Sequence, residues 1–193
     1  MTAASVDELR VGAGVVRLVR ADITTLRADA VVNAANAHLA GGGGVDGAIH
    51  RAAGHAELQA ELGRRYPQGC PTGSAVVTGA YGLQRNEVRH IVHAVGPRWS
   101  DAHADRCDEQ LRSAYSTALR LATDEGCATV ALPSISTGIY GFPVERAAPI
   151  ALAACVAALG DEGTSLRELT FALFGEADLQ AYRAALAKAR EAI

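Results

Sequence analysis

Val31 to His50 read VVNAANAHLAGGGGVDGAIH. The stretch begins in an apolar run that predicts a short buried strand, Asp29 to Asn33. Two amides follow, Asn33 and Asn36, then four consecutive glycines, Gly41 to Gly44. Asp46 then opens a helix that carries His50. Glycine packs no side chain and costs backbone entropy, so four in a row serve a core poorly. They suit a loop whose bare N–H groups face an anion, most simply a phosphate, with polar side chains beside it to hold a sugar. The bland alternative, a flexible surface loop, leaves the polar flanks unexplained.

Outward from this stretch the chain alternates strands with helices. Strands are expected at Gly14 to Arg20, Ser74 to Thr78, Arg89 to Val95, Ala128 to Leu132 and Leu169 to Phe174, punctuated by glycine and proline. Helices are expected at Asp46 to Gly54, Ala56 to Tyr66 and Asp105 to Glu125. In the last of these Leu111, Ala114, Tyr115, Ala118 and Ala122 recur at helical spacing. Pro143 is placed as a first helical residue, ahead of a buried face of Val144, Ala147, Ala151, Cys155 and Leu159. Leu179, Tyr182 and Leu186 stripe a terminal helix. The alternation predicts a layered α/β domain. The expectation is one domain over residues 1–193, with a core at about 14–187 and a short extension at 1–13.

Hydrophobic residues make up 49% of the 193 and charged residues 20%, which argues for a folded domain over disorder. The net charge of −3 offers no basic patch for nucleic acid. No apolar stretch is long enough for a membrane span. The opening MTAASVDELR lacks a signal-peptide pattern, and Cys70, Cys107, Cys127 and Cys155 show no C-x-x-C spacing. Reduced cysteines in a cytoplasmic protein are therefore expected. Nothing in the sequence demands more than a monomer.

A second loop, Ser134 to Gly141 (SISTGIYG), also leaves a buried strand and enters a helix. Loops of this kind tend to share one edge of an α/β sheet, where ligands bind. A helix N-terminus adds about 0.3–1 kcal/mol to holding an anion. Two such loops point to a diphosphate more than a single phosphate; an ordinary turn with an exposed Tyr140 is the alternative. Gly42, Gly44 and Gly47 also satisfy a literal G-x-G-x-x-G, which raises a dinucleotide site as a rival. Its glycines should follow the strand at once, yet eight residues, Ala34 to Gly41, intervene. The histidines show no metal spacing: His90 and His93, three apart in a strand, face opposite ways. His50, four residues after Asp46, shares its helix face, either as a working partner or as a packing residue. Asn33 and Asn36 can donate to and accept from ribose hydroxyls, or cap the strand end.

Asn33-Ala-Ala-Asn36, Gly41 to Gly47, Ile49-His50, Asp22-Ile-Thr24, the strand His90 to Pro97 and Ser134 to Gly141 together resemble MacroD-type macrodomains, in order and spacing. The resemblance spans about residues 14 to 187. It implies a three-layer α/β/α sandwich around a central mixed, mostly parallel sheet. It also implies binding of ADP-ribose, with removal of ADP-ribose from acidic side chains and action on O-acetyl-ADP-ribose. Carried over, Asp22 would bond the adenine amino group beside Ile23, and Phe174 would stack on the ring. Asn33 and Asn36 would serve the ribose. Gly43, Gly44 and Val45, with Ser136, Thr137, Gly138, Ile139 and Tyr140, would wrap the diphosphate. Asp46 would be the catalytic carboxylate, with Asn36 and His50 in support. Ala21 stands where the family usually has glycine. No metal or cofactor is implied; the partners would be ADP-ribosylated proteins and ADP-ribose itself. A carboxylate is a weak base, so Asp46 is expected chiefly to orient water and offset positive charge on the sugar. A non-catalytic ADP-ribose reader and a hydrolase of ADP-ribosylated nucleic acid remain the competing functions.

Overall fold

In the computed structural model, which describes residues 7–191, the apolar runs pair into one seven-stranded sheet. In chain order the strands are β1 (Glu8–Val11), β2 (Gly14–Arg20), β3 (Ala30–Ala34), β4 (Ala75–Gly79), β5 (His90–Ala94), β6 (Thr129–Leu132) and β7 (Glu168–Leu173). Their spatial order is β1-β2-β7-β6-β3-β5-β4. The inner pairs are parallel and the two outermost pairs antiparallel. The helices are α1 (Gly44–Ala53), α2 (His55–Arg65), α3 (Ala104–Asp124), α4 (Val144–Gly160) and α5 (Glu176–Glu191).

Residues of β3 alternate between two cores. Val32 joins Tyr115, Phe171 and Tyr182 under α3, α4 and α5. Val31 joins Ile49, Leu58 and Leu62 under α1 and α2. A strand covered on both faces has no polar side, which is why its sequence is a continuous apolar run. The product is the expected α/β/α sandwich with a mixed, mostly parallel sheet.

The N-terminal segment departs from expectation. Glu8–Val11, assigned to an extension, adds an edge strand antiparallel to β2, with Leu9 buried in the larger core. Four residues with one buried apolar side chain carry too weak a periodic signal to be read in isolation. Residues 1–6 of that extension lie outside the described residues. Pro143 precedes α4 as its N-cap and is not its first residue. Short 3₁₀ turns at Ile23–Thr25, Tyr81–Asn86 and Asp101–His103 complete the connections. Among the described residues no helix is long and apolar enough to cross a membrane.

Strands β2, β7, β6 and β3 lie side by side and parallel. The chain therefore leaves all four at the same edge. Those exits are Asp22, Phe174, the Ser134–Gly141 loop and the Asn36–Gly43 loop. At the opposite edge Asp29 fixes the start of β3 to that of β6: its Oδ2 accepts from the N–H groups of Ala128 and Thr129 at 2.8 and 3.0 Å.

Candidate active site at the carboxyl edge of the sheet

The two loops close on one another. The Cδ1 atom of Ile139 lies 3.4 Å from where a Cβ on Gly43 would stand. Gly44 begins α1 with φ +59°, a left-handed conformation that glycine adopts without strain. A Cβ on Gly47 would collide with the carbonyl oxygen of Gly42, so the first turn of α1 is pressed directly onto the glycine loop. The third glycine of the literal fingerprint is thus a packing requirement, in a loop without the dinucleotide-site geometry.

The second loop is held by its own backbone. Gly141 N donates to Gly138 O at 2.9 Å, Phe142 N to Ser136 O at 3.0 Å, and Trp99 N to Tyr140 O at 2.8 Å. Among the described residues no backbone acceptor takes the N–H groups of Ser136 to Tyr140. Ser136 sits at φ +68°, and its buried Oγ has no hydrogen-bond partner. A turn of free N–H groups facing the start of α1 is an anion-binding concavity.

Asp46 stands at the base of this cleft, 5% exposed. Its Oδ1 accepts from Asn33 Nδ2 at 2.7 Å and faces His50 Nδ1 at 3.0 Å. Its Oδ2 has no hydrogen-bond partner and lies 3.3 Å from where a Cβ on Gly42 would be. One oxygen is therefore locked and the other points at the glycine loop.

The hydrogen-bond inventory behind Asp46 fixes the protons. Gln59 Nε2 donates to Leu39 O at 2.8 Å and to His50 Nε2 at 2.9 Å. His50 consequently carries its proton on Nδ1, shared between the Asp46 carboxylate and the Asp46 backbone oxygen at 2.9 Å. Burial disfavours its imidazolium, but the hydrogen bonds and charge of Asp46 outweigh this and raise its pKa. Asn33 gives its other amide hydrogen to Nδ1 of His93 at 3.1 Å. His93 must then hold its proton on Nε2, donated to Thr78 Oγ1 at 3.0 Å. Full burial, with His50 nearby, pushes the His93 pKa down to about 3, so the ring is neutral.

Of the expected residues, His50 supports Asp46 as the resemblance implied, while Asn33 stands elsewhere than expected. Asn33 is fully buried behind Asp46, with both amide hydrogens engaged, so it holds the carboxylate instead of presenting its amide to a ribose. His50, 2% exposed, likewise positions Asp46 from behind. Ile23 is buried beneath its turn. Asn36 lies at the cleft, where it braces the loop: Nδ2 donates to Gly41 O at 2.9 Å, and Oδ1 accepts from His38 N at 3.1 Å. Asp22 is exposed and caps the Ile23–Thr25 turn through Oδ1, accepting from Thr24 N at 2.9 Å.

Phe174 is 82% exposed and Ile139 75%; these are the large apolar side chains left open to solvent among the described residues, and both border the cleft. An exposed aromatic beside Asp22 offers a face for a planar base. His93, Thr78 and Gln59 were missed as site residues. His93 did carry a signal, a lone polar residue in the apolar strand Ile91-Val92-His93-Ala94 with His90 facing the other way. Gln59 carried none, because Gly54 breaks the helical register between it and His50.

Comparison with known proteins identifies a family and a shared fold. The macro domain family matches residues 32–151. A macro domain-containing protein of Caldanaerobacter subterraneus subsp. tengcongensis is 47% identical over 86% of this chain and 93% of its own length. A Pantoea vagans protein named O-acetyl-ADP-ribose deacetylase 1 is 51% identical over 71% of this chain and 78% of its own. Among solved structures, the Oceanobacillus iheyensis macrodomain with ADP superposes with a TM-score of 0.87 at 36% identity, covering 96% of this chain and 97% of that one. The Trypanosoma brucei macrodomain in complex with ADP-ribose gives 0.78 at 37% identity, over 89% and 68% of the two chains. With strands β4 to β6, both loops and the helix bearing Asp46 inside the matched region, this chain belongs to the macro domain family.

Proposed function

We propose that the cleft binds ADP-ribose and that the chain hydrolyses esters between ADP-ribose and acidic side chains of modified proteins, with O-acetyl-ADP-ribose as a second substrate. The observation that carries this is the asymmetry of Asp46: Oδ1 is held by Asn33 and His50, while Oδ2 faces the glycine loop unpartnered. The family membership supports the ligand. The nucleotides in the two solved macrodomains support it too, and the Pantoea vagans relative's name supports hydrolysis of an ADP-ribose ester.

In this reading the adenine lies between Asp22 and Phe174, and the diphosphate lies against the free N–H groups of Ser136 to Tyr140 and Gly43 to Val45. The distal ribose reaches Asn36 and Asp46. Water held by Asp46 Oδ2 attacks the anomeric carbon as the ester C–O bond breaks; the departing carboxylate takes the electron pair, and the proton lost by the water passes by way of Asp46 Oδ2 to that carboxylate or to solvent. Positive charge that grows on the sugar is offset by the fixed Asp46 carboxylate. No cofactor enters this scheme. The four cysteines are buried and free, which fits a reducing compartment such as the cytoplasm.

Asp46→Ala tests the proposal. The variant should retain ADP-ribose affinity by calorimetry yet release ADP-ribose from a glutamate-modified protein at least about 10²-fold more slowly, the lower end of what a positioned base contributes. Undiminished release would overturn the catalytic role. Binding without release by the wild type would make the protein a reader.

A further inference from the structure

A second cleft opens where the ribose end of the site stops. It measures about 690 Å³ and begins at Asn36, which bounds the ribose end, and at Tyr140, where the second loop's anion-binding turn ends. From there it runs between the loop at His38 and the start of α3, past Arg98, His103 and Arg106. No aspartate or glutamate lines it. Arg98 stacks over the Tyr140 ring, 4.4 Å from its centre. Neither Arg98 nor Arg106 forms an ion pair with a carboxylate among the described residues, although much of the chain's arginine does. In a chain of net charge −3, two guanidiniums without a carboxylate partner around a cleft that no acidic side chain lines are a local excess of positive charge.

We infer that this cleft receives the acidic polypeptide segment that carries the modified carboxylate. The inference rests on the proposed reading of the adjoining site as an ADP-ribose site. In that reading the ribose lies at Asn36, and this cleft continues from Asn36, so the group leaving the anomeric carbon exits toward it. Its volume is in the range that holds a drug-sized ligand, far more than an acetyl group needs. Unpaired arginines recognise carboxylates by charge-assisted, bidentate hydrogen bonds. A nucleic acid is the less favoured occupant, because the positive charge is confined to one pocket and does not extend as a track along a backbone.

The test uses the Asp46→Ala protein, which keeps a modified substrate intact, and measures affinity by calorimetry. The probes are free ADP-ribose, a glutamate-modified peptide with acidic flanks, the same peptide with neutral flanks, and an oligonucleotide ADP-ribosylated on its terminal phosphate. The acidic peptide is expected to bind at least tenfold more tightly than the neutral peptide or free ADP-ribose. Arg106→Glu in that background should abolish the difference while leaving the affinity for free ADP-ribose within about twofold. Equal affinities for the two peptides, or an Arg106→Glu loss equal for every probe, would overturn the inference while leaving the ADP-ribose site standing. A preference for the oligonucleotide that Arg106→Glu removes would also overturn it. Failure to bind free ADP-ribose at all would instead sink the reading of the site on which it depends.

Discussion

Asn33 has two amide hydrogens and one oxygen, and the surrounding groups decide where each goes. Asp46 can only accept, so Nδ2 must face it; the second hydrogen then requires an acceptor, which His93 supplies through Nδ1. The chain Thr78–His93–Asn33 thereby orients the donor that locks Asp46. It leaves Asn33 Oδ1 buried without a partner, a situation that costs about 1–3 kcal/mol and that native sites tolerate where geometry matters. The arrangement requires a neutral His93, and this has a consequence for stability. Its folded pKa is about 3, below the ordinary histidine value of 6.5. As pH falls below that value the unfolded chain takes a proton that the folded chain refuses, so stability declines toward the folded pKa by up to about 1.4 kcal/mol per pH unit. His50, whose pKa is raised, works in the opposite direction, so a difference between proteins is the informative quantity. Denaturant unfolding between about pH 7 and pH 4 should show a shallower loss of stability for His93→Asn than for the wild type. Parallel curves would show that His93 is not the group responsible.

At the level of the element, α1 joins fold to chemistry. Its first turn carries Asp46, and four residues on, one turn later, it carries His50, so the same helical rise that packs Ile49 into the core brings the two side chains together. The glycines before it allow the helix to start close to β3. Gly47 is the tightest point, since any Cβ there meets the Gly42 carbonyl oxygen. Gly47→Ala is expected to cost about 1–3 kcal/mol by overpacking, visible as a lowered Tm, and to weaken ADP-ribose binding by displacing the glycine loop. Gly63→Ala in α2 is the control. Nothing lies within 4 Å of a Cβ at that exposed helical position, so it should leave binding unchanged and raise stability by up to about 1 kcal/mol. Equal behaviour of the two variants would contradict the contact between α1 and the loop.

For the whole molecule, ligand binding and stability are linked, because a nucleotide bound as proposed across four strand exits binds only the folded state. ADP-ribose at 100-fold over its Kd should stabilise the protein by about 2.7 kcal/mol, read as a rise in Tm. Gly138→Glu places bulk and negative charge in the second loop at a position with open space around it. It should therefore keep the unliganded Tm and lose the ADP-ribose-dependent rise; an undiminished rise would refute the phosphate-loop assignment. Much of this molecule was legible beforehand. Apolar runs, helical stripes and glycine punctuation depend on local periodicity, so β2 through β7 and all five helices fall where those patterns put them, within one or two residues at most ends. Strand β1 did not announce itself, because an edge strand of four residues is stabilised by pairing with β2 more than by its own pattern. The sequence alone determined the two glycine loops, the helix bearing Asp46 and His50, and the family they resemble, since these are carried by residues close together in the chain. Only the tertiary structure decided that Asn33 stands behind Asp46, that His93 and Gln59 fix the protons around it, and that Arg98 and Arg106 share an unpaired basic cleft next to Asn36. Some of those contacts, such as Asn33 with His93, span sixty positions through parallel strand order; others, such as Gln59 with His50, are nine apart across a break between helices, and no periodic pattern in the chain encodes either kind.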